Sequence, residues 1–92
     1  MHRERRRLYY SGQVQGVGFR YTCLSLARGF DVAGYVRNLP CGRVELVADG
    51  DPQELDNFST SIQREKGHFI RDVATEFVPH PADSLSGFTI RH

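Results

Sequence analysis

Cysteine is scarce in this chain: Cys23 and Cys41 are the only two. Two are too few for a disulfide framework or a cysteine-built metal site, so a cytoplasmic protein with reduced thiols is expected. Neither opens a C-x₅-R phosphatase loop, because the positions that would need arginine hold Gly29 and Val47. No apolar run approaches membrane-spanning length, and the N-terminus lacks the apolar segment of a signal peptide. An excess of one charge is also missing. The net charge of +1 argues against nucleic acid as the main partner. Arg3, Arg5, Arg6 and Arg7 do cluster at the start, but Glu4 lies among them and the terminus is close, so residues 1–5 are expected to be a frayed, solvated end. There are no repeats, linkers or low-complexity segments. With 92 residues, the chain is read as a single domain over 1–92, with a modest core and no large ligand cavity.

Glycine, by contrast, is concentrated where it matters. In Gly12-Gln13-Val14-Gln15-Gly16-Val17-Gly18-Phe19-Arg20, three glycines fall within seven positions, between an apolar Leu8-Tyr9-Tyr10 run and a segment of helical periodicity. Such a backbone turns tightly and can aim successive N–H groups at one point. A helix starting just afterwards adds unpaired N–H groups and the positive end of its dipole. Arg20 brings a permanent charge and a planar donor fork. These parts describe a phosphate-binding turn; the competing reading is an ordinary strand-to-helix turn with a solvated arginine. A P-loop is excluded because no lysine follows the glycines. The dinucleotide pattern G-x-G-x-x-G is met at Gly16 and Gly18, fails at Tyr21, and lacks an acidic residue about 20 positions on.

The remaining pattern places this turn in a fold. Residues 5–12 read as a strand. Phe19, Cys23, Leu26, Ala27 and Phe30 form one face of a helix that Gly29 is placed to stop, with Cys23 a core residue. Asp31 to Asn38 is a second strand, Leu39-Pro40-Cys41-Gly42 a turn, and Arg43 to Ala48 a third strand. In that third strand Val44, Leu46 and Ala48 alternate with Glu45 and Asp49. Asp51-Pro52-Gln53-Glu54 is a helix start, followed by a Leu55, Phe58, Ile62 stripe and closed at Lys66-Gly67. Phe69 to Val78 is a fourth strand broken by Pro79 and Pro81, and Phe88-Thr89-Ile90 a short fifth. The class is α+β: a ferredoxin-like split βαβ, β-α-β-β-α-β plus a short C-terminal strand, with both helices on one face of the sheet. In that topology strands one and two run parallel with strand three between them, so their C-terminal ends emerge at one edge, roughly 10 Å apart. Arg20 follows the first and Asn38 closes the second. The two can face one phosphate.

A cation with backbone donors opposite a neutral amide can bind a phosphoryl group and hold a water, but it is poorly equipped to protonate a leaving group. It suits carboxylate leaving groups, whose acids have pKa values of about 4. At these residues the sequence resembles the acylphosphatase family. The match is carried by Gly12 and Val14-Gln15-Gly16-Val17-Gly18-Phe19-Arg20, then Gly34-Tyr35-Val36-Arg37-Asn38 with Gly42-Arg43-Val44, and the closing Gly87-Phe88-Thr89-Ile90-Arg91. The resemblance implies a small, metal-free enzyme that hydrolyses acyl phosphates to a carboxylate and orthophosphate; no cofactor is expected, and a monomer is the default for a domain of this kind. Arg20 would bind phosphate within a cradle of Gln15, Gly16, Val17, Gly18 and Phe19, and Asn38 would orient water. It also implies a fifth strand beside strand two. The alternatives are a phosphate-binding module without turnover and, weakly, an RNA-binding ferredoxin-like domain, for which Arg43 to Val47 offers no aromatic. The histidines His2, His68, His80 and His92 lie outside both motifs, so turnover is expected to show no enzyme group titrating near neutrality.

Overall fold

A computed structural model of the chain describes residues 3–79 and 81–92. Its elements are β1 (Glu4–Gly12), α1 (Phe19–Ala27), β2 (Val32–Asn38), β3 (Val44–Gly50), α2 (Pro52–Lys66), β4 (Ile70–Pro79) and β5 (Phe88–Arg91), with a 3₁₀ turn at Gly67–Phe69 before β4. The sheet order is β4-β1-β3-β2-β5. β3 is antiparallel to both β1 and β2, so those two run parallel, and β5 joins β2 in parallel. This is the expected split βαβ, with the fifth strand where the family resemblance put it.

The helices form because their apolar spacing matches the face of the sheet they cover. Phe19, Cys23 and Ala27 from α1 and Leu55, Phe58 and Ile62 from α2 are buried against Leu8, Tyr10, Val36, Val44, Leu46 and Ala48. α1 ends before Gly29, whose N–H donates to Leu26 O at 3.0 Å in a tightened last turn. At the start of α2, Asp51 caps by accepting from the Gln53 N–H at 2.9 Å. Glu54 does not reach back to complete a capping box: its carboxylate accepts from the Asp31 N–H at 2.8 Å and ties α2 to the entry of β2.

The opposite face corrects one expectation. Glu45 and Asp49, which point to it, are buried, because β3 is the middle strand and arginines close over them. Arg5 donates to both Asp49 oxygens, at 2.6 and 3.0 Å, and to Asp83 at 2.8 Å. Arg37 reaches Glu45 at 2.6 Å, while Arg7 lies 3.6 Å from both Glu45 and Glu76. The hydrogen bond from Arg5 holds the Asp83 carboxyl below its usual range. The arginine-rich start is therefore not frayed from Glu4 onward: β1 begins there, paired to Gly50 and Pro79, because the buried carboxylates need these cations. Met1 and His2 of that predicted frayed end lie outside the described residues, as does His80.

Candidate active site

β1 and β2 deliver their C-terminal ends to the same edge, and a cleft of about 170 Å³ opens there. Val14, Gly16, Gly18, Phe19, Arg20, Tyr21 and Asn38 line it. Gly16 and Gly18 both adopt left-handed backbone, at φ 78° and 77°, which side-chain-bearing residues rarely take. Gly18 is the N-cap of α1 and makes no side-chain cap, so the first N–H groups of the helix stay free at the cleft. Among the described residues no carbonyl accepts from the N–H groups of Gly16, Val17 or Gly18. Val14 and Phe19 are buried beneath this loop, and Phe19 packs on Tyr10 with ring centroids 4.9 Å apart, so the loop rests on the core.

Arg20, in the first turn of α1, is half-buried, and among the described residues no carboxylate lies within ion-pair distance of it. Asn38 closes β2 across the cleft. Its Oδ1 is buried and accepts no hydrogen bond from the protein. A cation with no internal counter-charge thus faces an amide oxygen with no internal donor. Both are open to a ligand.

The other expected cradle residues act from behind. Gln15 points its amide away from the cleft and donates to Leu39 O at 2.8 Å and Arg43 O at 2.9 Å, which staples the loop to the β2–β3 turn. Val17 presents its carbonyl to Lys66 Nζ at 2.8 Å. Sequence alone gives Lys66 and Tyr21 no part in the site: Lys66 reads as the end of a helix, and Tyr21, 66% exposed at the rim, has no periodicity to mark it.

His92 is the correction here. Arg20 Nη1 lies 3.5 Å from His92 Nδ1, so a histidine does stand beside the site. The cause is register. β5 runs parallel to β2 with Arg91 level with Arg37, which brings the next residue to the end where Asn38 sits. His68, by contrast, stacks on Phe69 with centroids 4.0 Å apart. Cys41, in the turn after β2, accepts from Arg43 Nε at 3.3 Å, and that hydrogen bond lowers its thiol pKa. Among the described residues, the open face of the sheet offers no free stacking platform of the RNA-binding kind. Tyr35 lies under Arg91, Tyr9 lies under Arg43, and Glu45 and Asp49 occupy its centre.

The chain has relatives among known proteins. The family model of acylphosphatase matches residues 6–90. An acylphosphatase of Methanospirillum hungatei is 40% identical over 81 residues, 88% of this chain and 89% of that protein. An Archaeoglobus fulgidus acylphosphatase is 48% identical over 56 residues, 61% of this chain and 63% of its own length, so that match spans just under two thirds of the relative. The crystal structure of acylphosphatase from Bacillus subtilis superposes with a TM-score of 0.85 at 28% identity, covering 97% of this chain and 99% of that one. This chain belongs to the acylphosphatase family.

Proposed function

We propose that the protein hydrolyses acyl phosphates, mixed carboxylic-phosphoric anhydrides, to a carboxylate and orthophosphate. The observation that carries this reading is the meeting of the Gly16–Arg20 turn with Asn38 across one cleft, the Asn38 Oδ1 buried there without a protein donor. The phosphoryl oxygens take the free N–H groups of the loop and the Arg20 fork. A planar guanidinium matches two such oxygens at once. Asn38 Oδ1 accepts a hydrogen bond from the attacking water and sets its oxygen toward phosphorus. The bond to phosphorus forms as the anhydride P–O bond breaks, and the carboxylate leaves with the electron pair and needs no acid. The water's proton passes to a phosphate oxygen of the substrate. Positioning and charge stabilisation carry most of the work in such a step.

The membership of the family and the relatives' name support the same reaction. We further propose that the enzyme works as a cytoplasmic monomer: a monomer is the default for a single domain of this size, and two free thiols suit a reducing compartment. The test is an assay of the purified chain on a small aryl acyl phosphate, with a chelator present. Hydrolysis inhibited competitively by orthophosphate is expected. Phosphate binding without turnover would reassign the cleft to a binding module.

A further inference from the structure

Among 12 basic side chains, the chain contains one lysine. Lys66 is the last residue of α2, a position where a cation is ordinarily explained by the helix dipole. Its ammonium is not spent on its own helix. It crosses to the glycine loop and donates to Val17 O at 2.8 Å, 49 residues away in sequence. The half-buried stem passes along Phe69, with Nζ 5.3 Å from the ring centre, which limits the places the ammonium can go. A Cβ built on Gly18 would have this Nζ as its nearest heavy neighbour, at 3.9 Å. Yet Lys66 does not line the cleft: it stands behind the loop and the cleft lies in front.

The peptide plane connects the two sides. In a trans peptide the C=O of one residue and the N–H of the next point in opposite directions. A lysine that fixes the Val17 carbonyl on the α2 side therefore turns the Gly18 N–H toward the side where Gly16, Gly18 and Arg20 line the cleft. The left-handed Gly18 backbone leaves this plane few other restraints, because among the described residues no carbonyl accepts from the Gly18 N–H. A charged donor on the carbonyl also polarises the amide and strengthens its N–H as a donor to an anion. We propose that Lys66 is a positioning residue for phosphate: it locks the Val17–Gly18 peptide so that the Gly18 N–H faces the bound phosphoryl group, and it adds a second positive charge behind the loop. The inference rests on the phosphate reading of the cleft.

The experiment follows inorganic phosphate binding to the intact chain by amide NMR, together with steady-state kinetics. In the wild type the Gly18 N–H should move strongly as phosphate saturates the cleft. In Lys66→Met the phosphate dissociation constant should rise by about tenfold, the worth of one charge-assisted hydrogen bond. The Gly18 response should be lost while that of Phe19 persists, and the thermal midpoint without phosphate should change little. KM should rise more than kcat falls. Lys66→Arg, which keeps charge and donors, should restore the Gly18 response. If Lys66→Met folds poorly, Lys66→Gln is read in the same titration and should show the same loss. Wild-type affinity and an unchanged Gly18 shift in either variant would overturn the role. A wild type whose amides ignore phosphate would overturn the phosphate reading itself, and the role of Lys66 with it.

Discussion

Arg20 and Asn38 face the same cleft with different chemical means, and substitution should separate them. Arg20→Lys keeps the charge but replaces a planar fork by a point charge on a shorter stem. It should lower kcat/KM by at least about a hundredfold and weaken orthophosphate inhibition. Near-normal turnover in that variant would mean that the backbone loop alone holds phosphate. Asn38→Ala removes the acceptor for water but none of the phosphate donors. Turnover should fall by about a hundredfold or more with KM within about threefold, the pattern of an interaction made on the way to the transition state. A raised KM at normal kcat would assign Asn38 to binding instead. His92 is the residue whose place the sequence did not disclose. Its ring meets Arg20 through one long contact of 3.5 Å. His92→Gln should therefore leave kcat/KM within about threefold across neutral pH, the change expected for one marginal hydrogen bond. A neutral-pH limb that vanishes in this variant would bring the imidazole into the reaction.

At the scale of elements, β2 owes its close contact with β3 to a glycine. A Cβ on Gly34 would run into the Val47 carbonyl, and the Gly34 N–H is already committed to Gly87 O at 2.8 Å, where the chain turns into β5. Gly34→Ala must push β2 off β3 while the far edge resists. A cost of about 2 kcal/mol or more is expected, read as a lower urea midpoint at unchanged slope. The same shift would move Asn38, which ends β2, so activity should fall further than the lost stability explains. Stability and activity within error of the wild type would show that the two strands are not so tightly coupled.

The whole molecule divides into two unlike faces. Under the helices lies an apolar core that includes Cys23 and Tyr10; on the open face arginines cover two buried carboxylates. Burial pushes the Cys23 thiol up to about 12 and raises the Tyr10 hydroxyl above its ordinary range. Both groups ionise at their usual pH in the unfolded chain. Above about pH 9 the native state thus holds more protons than the unfolded state, and stability must fall as pH rises, by up to about 1.4 kcal/mol per unit for each group. Urea midpoints at pH 8, 9 and 10 should show this decline, shallower in Cys23→Ala once its own cavity cost is subtracted. A flat alkaline profile would mean that the core readily admits charge.

Much of this was legible in the sequence because it depends on neighbours along the chain. The 3.6-residue stripes of α1 and α2, the Asp51-Pro52 start and the glycines that need φ near 78° are local demands, and they appear where the residues required them. The β-α-β-β-α-β order then brought Arg20 and Asn38 to one edge, since parallel strands must end together. Other features were settled by contacts between residues far apart in sequence. Glu45 and Asp49 look like the polar half of an alternating strand; only the position of β3 at the centre of the sheet, under Arg5, Arg7 and Arg37, makes them buried. Glu54 stands where a capping box would use it, and β2 takes it instead. His92 reaches Arg20 through strand register across 72 residues, and Lys66 reaches Val17 across 49. Sequence spacing carries the period of an element and the chemistry of a turn. Which long side chain ends beside which loop is decided when the strands pair and the helices dock, because only then are those two points in space defined.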